Sequence, residues 1–155
     1  MKKELYLILH DIRSIHNVGS IFRTADCAGV KHIFLSGYTP TPLDRFNRPR
    51  KDFAKVSLGA EKSVAWEYEK SVDKIIDKLK AQKVKILALE QDSRSVNYKK
   101  AKVTQNTALI LGNEVSGISK KILDKSDVII EIPMLGSKES LNVSVAAGIA
   151  IFALI

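Results

Sequence analysis

Three short stretches of this chain set polar side chains directly behind apolar runs, where a ligand could be held. The first is Asn17-Val18-Gly19-Ser20-Ile21-Phe22-Arg23-Thr24-Ala25. At about 100° per residue, Arg23 lies roughly 140° from Val18 on a helical wheel and points away from the apolar stripe. Gly19 lets a ligand or another backbone come close. The second is Leu111-Gly112-Asn113-Glu114-Val115-Ser116-Gly117, where two glycines bracket a carboxylate. Glu114 would accept hydrogen bonds from backbone amides or from a substrate amine. The third is Ile132-Pro133-Met134-Leu135-Gly136-Ser137-Lys138-Glu139-Ser140-Leu141-Asn142-Val143-Ser144. Pro133 restricts the exit from a strand, Gly136 permits a sharp bend, and Ser140 and Asn142 sit at the mouth of a final helix. Taken singly, each stretch also reads as ordinary structure: a solvated arginine, an N-cap asparagine at position 17, a turn that needs glycine for its dihedrals.

Other chemistries fit poorly. No lysine follows Gly117 as a phosphate-binding P-loop requires, and the Gly-x-Gly-x-x-Gly fingerprint is absent. His10, His16 and His32 have no metal-ligand spacing with one another or with Cys27. They read as a strand-end, a loop and a strand-start residue, and no metal is expected. A Gly-x-Ser-x-Gly elbow is also missing.

The elements that must position these residues alternate between two periods. Leu5–Leu9, His32–Ser36, Val84–Leu89, Ala108–Leu111 and Val128–Ile132 are short Ile/Leu/Val-rich runs without polar alternation, as expected of central strands covered on both faces. Val18, Ile21, Phe22, Ala25 and Ala28 follow helical spacing, with Asn17 as the expected N-cap and Gly29 near the C-terminal end. Val72, Ile75, Ile76 and Leu79 form a second stripe behind a Ser71 cap. Strands alternating with helices predict an α/β fold, a mostly parallel sheet flanked by helices. At 155 residues, one domain spanning 1–155 is expected. The longest irregular stretch, Gly37 to about Ser57, holds Pro40, Pro42 and Pro49. The last helix, from about Asn142, is apolar almost all round, so it must be buried on several sides, either inside the monomer or against a second subunit.

Composition narrows the partner. The 25 Lys and Arg exceed the 17 Asp and Glu, giving a formal net charge of +8. Such a surface favours polyanions, nucleic acid first among them, although a generally lysine-rich protein would look the same. No charge-free apolar run is long enough to span a bilayer. The N-terminal apolar stretch stops at His10-Asp11 and reads as a first strand rather than a signal peptide. A single cysteine allows no internal disulfide and suits a reducing cytoplasm.

Together and in this order, the three stretches resemble the three motifs of the SpoU (TrmH-like) RNA 2′-O-methyltransferase family of the SPOUT superfamily. Lys55-Val56-Ser57-Leu58-Gly59-Ala60-Glu61 is similar to the family pattern between the first two motifs. The chain departs at Val115-Ser116, which stands where an acidic-glycine pair is often found. That departure leaves Glu114 in place and bears on substrate class.

The resemblance implies an α/β domain whose C-terminal part threads a deep trefoil knot. Periodicity could never suggest this, because threading defies the usual rule against knots. It implies an S-adenosyl-L-methionine-dependent enzyme that methylates ribose 2′-hydroxyls of tRNA or rRNA. The cofactor would be held by backbone groups around Leu89, Gly112, Ile132, Ser140 and Leu141. Arg23 would assist deprotonation or anchor an RNA phosphate, Asn17 and Asn142 would orient substrate and loop, and Glu114 would hold the cofactor loop or the asparagine network. Ser140 would touch cofactor or Arg23. A cytoplasmic homodimer through the last helix is implied, with no separate RNA-binding domain. RNA would then be gripped by the catalytic dimer. From the residues themselves, Arg45, Arg48, Arg50 and Lys51 are the candidate RNA contacts, with Phe46 and Phe53 near enough to stack on bases; the alternative is a solvated loop with Phe46 or Phe53 tucked inward. Lys99, Lys100 and Lys102 near Arg94 make a weaker second patch. The competing expectation is a non-catalytic RNA-binding module that keeps the fold.

Overall fold

Strands without polar alternation need cover on both faces, and the computed structural model, which describes residues 2–155, provides it. Among the described residues, β1 (Leu5–His10), β2 (His32–Ser36), β3 (Ala65–Tyr68), β4 (Lys85–Leu89), β5 (Val96–Asn97), β6 (Thr107–Leu111) and β7 (Val128–Glu131) form one seven-stranded sheet in the order β3-β2-β1-β6-β4-β7-β5. Every pairing is parallel. The helices are α1 (Ile15–Ala28), α2 (Lys51–Ser57), α3 (Ala60–Ser63), α4 (Val72–Ala81), α5 (Lys120–Lys125) and α6 (Val143–Leu154).

The period-two geometry of β1 divides the core. Leu5, Leu7 and Leu9 face one layer, with Val18, Ile21 and Phe22 of α1, Phe53 of α2, and Ala147 and Ile151 of α6. Ile8 faces the other layer, with Ile75, Ile76 and Leu79 of α4 and Ile122 and Leu123 of α5.

Local chemistry sets the helix ends, and several expectations change. Ser14, not Asn17, caps α1: its hydroxyl accepts from the Asn17 amide at 3.1 Å, so Asn17 lies inside the first turn and its side chain is free for another use. His16 is accordingly helical rather than a loop residue. Gly29 closes α1 in the left-handed region (φ 70°), and Ser71 caps α4 as expected. Gly19 serves helix packing rather than a ligand. A Cβ there would lie 3.1 Å from Val56 Cβ and 3.4 Å from the Phe53 carbonyl oxygen, so α1 and α2 touch through it. The stretch expected to be irregular contains α2, anchored by buried Phe53, whose ring meets Phe22 edge-on at 5.1 Å. Phe53 therefore cannot stack on an RNA base.

The final helix is buried on one side only. Ala147, Ala150, Ile151 and Leu154 lie in the core, whereas Val145, Ile149 and Phe152 are 50, 36 and 53 % exposed. Small residues on the inner stripe bring it close to α1, with a Cβ on Gly148 falling 3.7 Å from Thr24 Cγ2. Among the described residues no helix is long and apolar enough to cross a membrane.

Candidate functional site

Parallel α/β sheets offer ligands the carboxyl ends of their strands. Here β6, β4 and β7 are adjacent, and a cleft opens where they end. Leu89 and Glu90 come from the end of β4, Leu111 and Gly112 from β6, and Glu131 and Ile132 from β7. Met134, Ser140 and Leu141 of the loop after β7 and Val143 and Ala146 of α6 make one further wall, and Asn113, Glu114 and Gly117 of the loop after β6 another. Counting its open mouth, the cleft encloses about 760 Å³ of space. All five residues expected to hold a cofactor, Leu89, Gly112, Ile132, Ser140 and Leu141, line it.

The loop behind β6 is shaped by its own hydrogen bonds. Asn113 Oδ1 accepts from the amides of Val115 and Ser116, both at 2.8 Å. Its Nδ2 donates to the Asp11 carbonyl at 2.9 Å and the Tyr38 hydroxyl at 2.8 Å. Gly112 is glycine for an internal reason: a Cβ there would fall 2.8 Å from the Gly117 carbonyl oxygen and 2.6 Å from Ile118 Cγ1. Its close approach is to its own loop, and it also lines the cleft. Gly117 sits at φ 67°, where a side chain would also run into the Glu90 carboxylate. That carboxylate accepts from the Ile118 amide at 2.9 Å.

One hydrogen-bonded chain ties the three sequence motifs together. Glu114 accepts from the backbone amides of Arg13 and Ser14, each at 3.0 Å, and from Asn17 Nδ2 at 3.5 Å. Asn17 Oδ1 accepts from Asn142 Nδ2 at 3.2 Å. Asn142 Oδ1 caps α6, accepting from the Ser144 amide at 2.9 Å and its hydroxyl at 2.6 Å. Burial pushes the Glu114 carboxyl up, but the amides of Arg13, of Glu114 itself and of Ser14, with the Asn17 side chain, more than offset this and hold it below the usual range. Asn17, Glu114 and Asn142 thus position the loops around the cleft, and Glu114 and Ser140 also line it.

Arg23 does not line that cleft. It is exposed on α1 and lines a separate groove with His16, Ser20, Asp52, Lys55 and Phe152. Ser140 and Arg23 therefore belong to different surfaces of the same chain.

The matching sequence profile, that of the SpoU rRNA Methylase family, covers residues 4–152. The chain belongs to the SpoU rRNA methylase family. The tRNA (guanosine(18)-2′-O)-methyltransferase of Aquifex aeolicus is 32% identical over 155 residues, covering 97% of this chain and 68% of that protein. A TrmH-family relative from Staphylococcus aureus is 34% identical over 146 residues, or 94% of this chain. The AdoMet-bound rRNA methyltransferase from Sinorhizobium meliloti superposes with a TM-score of 0.85 at 27% identity over 99% of this chain. The SpoU-family chain spans only 56% of the length of each of these last two.

This SpoU-family protein carries its basic segment on an exposed loop. The guanidinium groups of Arg45 and Arg48 lie 4.8 and 4.9 Å from the centroid of the Phe46 ring, which is 61 % exposed. Asp44 holds the loop, accepting from the amides of Phe46 (2.8 Å) and Arg48 (3.0 Å). Arg50 pairs with Asp52 at 3.2 Å, and Lys51 opens α2. In the weaker patch, Arg94 is taken up by Asp92 and Asp124, and Lys102 Nζ donates to the Ala153 carbonyl. Among the described residues no His, Cys, Asp or Glu group is arranged to hold a metal.

Sequence reasoning missed Glu90, Gln91, Asn113 and Glu131 in the cleft and Tyr38, whose hydroxyl meets Asn113, beside it. The resemblance named Leu89 and Ile132; taking the residues that follow each strand's carboxyl end would have added their neighbours.

Proposed function

We propose that this protein is an S-adenosyl-L-methionine-dependent RNA ribose 2′-O-methyltransferase acting on tRNA or rRNA. The observation that carries the reading is the cleft at the ends of β6, β4 and β7, lined by all five expected cofactor residues. Its lining fits that cofactor. Apolar Leu89, Leu111, Ile132 and Leu141 offer a slot for a nucleoside, strand ends offer free backbone groups, and the carboxylates present suit a cationic ligand. When bound, the cofactor supplies an electrophilic methyl on a sulfonium.

The protein's own residues have the harder task. A ribose 2′-hydroxyl is a weak acid and a poor nucleophile, so it must be held in line and lose its proton as the new bond forms. The guanidinium of Arg23 acts as an anchor for the adjacent RNA phosphate and the developing oxyanion. Glu114, Asn17 and Asn142 keep the loops and the start of α6 in one geometry.

Because Arg23 lines a different groove from the cleft, the reading includes a homodimer through α6. The cleft holds the N-terminal end of α6 (Val143, Ala146) and the Arg23 groove holds its C-terminal end (Phe152). A two-fold axis pairing the exposed faces of α6 antiparallel carries each Arg23 toward the other subunit's cleft. Arg45, Phe46, Arg48 and Lys51 would meet RNA, with Arg50 beside them, and such a substrate fits a cytoplasmic protein. The trefoil threading belongs to the same reading, and the order β6-β4-β7, out of chain sequence, is compatible with it.

The test is methyl transfer from tritiated cofactor to total RNA, with wild type and Arg23→Ala side by side. Incorporation at ribose 2′-oxygens, lost in the variant with the fold intact, is the expected result. Full activity in the variant rejects the role of Arg23. RNA binding without calorimetrically detectable S-adenosyl-L-methionine binding favours the non-catalytic alternative.

A further inference from the structure

The surface of this protein is basic, yet its cleft is acidic. Formal net charge is +8, while the cleft is lined by Glu90, Glu114 and Glu131 with no Lys or Arg among its lining residues. Two of these carboxylates are engaged inside the protein. Glu114 takes the amides of Arg13 and Ser14, and Glu90 takes those of Gln91 and Ile118. Glu131 is different. It is the last residue of β7, is half-buried, and makes no side-chain hydrogen bond or ion pair among the described residues. A carboxylate in a partly dry cleft, with no internal partner, leaves its field to whatever binds there.

We propose that Glu131 sets the cleft's preference for the charged donor over the spent product. The inference rests on the methyltransferase reading above. In that reaction the S–CH3 bond breaks with its electron pair staying on sulfur, the O–CH3 bond forms, and the hydroxyl proton passes to solvent water. The ligand thereby changes from S-adenosyl-L-methionine, with one net positive charge, to S-adenosyl-L-homocysteine, with none. Adenine, ribose and the amino-acid tail are common to both, so contacts to them cannot tell donor from product. Charge on sulfur can, and Glu131 is the cleft group left to sense it. A cleft that holds donor more tightly than product lets fresh donor displace the spent product at equal concentrations.

Calorimetric titration of the full chain tests this with three ligands: S-adenosyl-L-methionine, S-adenosyl-L-homocysteine and sinefungin, which carries an ammonium in place of the methylated sulfonium. Glu131→Gln keeps the side-chain shape and removes its charge. It is expected to weaken S-adenosyl-L-methionine and sinefungin about fivefold and S-adenosyl-L-homocysteine less than about twofold. Glu131→Asp, which keeps the charge, should largely restore the difference. Retained product binding certifies an intact cleft within the same experiment. Equal loss for all three ligands, as expected if Glu131 held the ribose or the amino-acid tail, overturns the inference, and so does no loss at all. A wild-type chain that binds none of the three overturns the methyltransferase reading itself.

Discussion

Asn142 Nδ2 donates to Asn17 Oδ1 across 3.2 Å, joining the cap of α6 to the first turn of α1 although the residues are 125 positions apart. The direction of this bond is fixed by its neighbours. A carboxylate only accepts, so Asn17 must turn its NH2 toward Glu114 and its oxygen toward Asn142. Asn142 must then turn its own oxygen toward the Ser144 amide, which caps α6. One polarity runs from the cleft loop through α1 to α6, and buried Asn17 has both ends of its amide satisfied.

Glu114 anchors that polarity, so Glu114→Gln is expected to cost about 1–3 kcal/mol in urea unfolding at neutral pH, because a glutamine faces two backbone N–H donors with only one acceptor. The pH dependence carries its own sign. A carboxyl held below its usual range in the folded chain contributes stability that is complete above the ordinary glutamate pKa and lost as pH falls through the lowered folded value. The gap between wild type and variant should therefore be widest near neutrality and close in acid. A gap that ignores pH would separate Glu114's charge from its structural role.

Gln91 is expected to act as a latch. Its Nε2 donates at 2.8 Å to the Glu139 carbonyl, in a loop whose residues 135–142 are all exposed. That loop carries Ser140 and Leu141 into the cleft. Gln91→Glu removes the donor at constant shape and should raise the cofactor KM about fivefold, with kcat within about twofold. Steady-state kinetics at saturating RNA reads both. A fall in kcat at constant KM would place Gln91 in the transfer step instead.

The basic loop separates charge from stacking. Arg45→Ala and Arg48→Ala should each weaken RNA binding similarly for all sequences and reduce the slope of log affinity against log salt by about one. Phe46→Ala should leave the slope unchanged while weakening binding by about 1–3 kcal/mol. Filter binding across a salt series distinguishes the two. Unchanged affinity in all three variants would move the RNA surface elsewhere.

How far these features could be read from residues alone depended on burial. β1, β2, β4, β6 and β7 are covered on both faces, so their side chains form unbroken apolar runs that announce themselves. Edge strand β3, Ala65-Trp66-Glu67-Tyr68, is half-exposed and mixed, and β5 is two residues long. Neither leaves a periodic trace. Helix α2 hid behind Pro49 because it buries only Phe53 and Ser57. Asn17 looked like a cap because Ser14, the actual cap, lies just three residues earlier and is chemically as good. The cleft residues Leu89, Gly112, Ile132, Ser140 and Leu141 were legible through the resemblance of the motifs that carry them. The separation of Arg23 from that cleft was not, because a helical wheel gives direction around one helix and says nothing of what stands opposite.

That separation makes the subunit interface the most consequential expectation. Val145, Ile149 and Phe152 leave an apolar stripe on α6 open to solvent in the single chain, directly behind the small-residue stripe that meets α1. Water contact along such a stripe is unfavourable, and pairing two copies removes it. Phe152→Asp places a carboxylate at the C-terminal end of that stripe, beside the Arg23 groove, and, because Phe152 is surface-exposed in the monomer, should leave the folded chain's unfolding transition little changed. Sedimentation velocity is expected to find a dimer for wild type and a monomer for the variant. Cofactor binding should survive, because the cleft is built from one chain, while methyl transfer should fall by at least about a hundredfold, because Arg23 no longer reaches a cleft. A monomeric Phe152→Asp that retains full activity would mean that Arg23 serves the cleft of its own chain, and the two-subunit geometry would have to be abandoned.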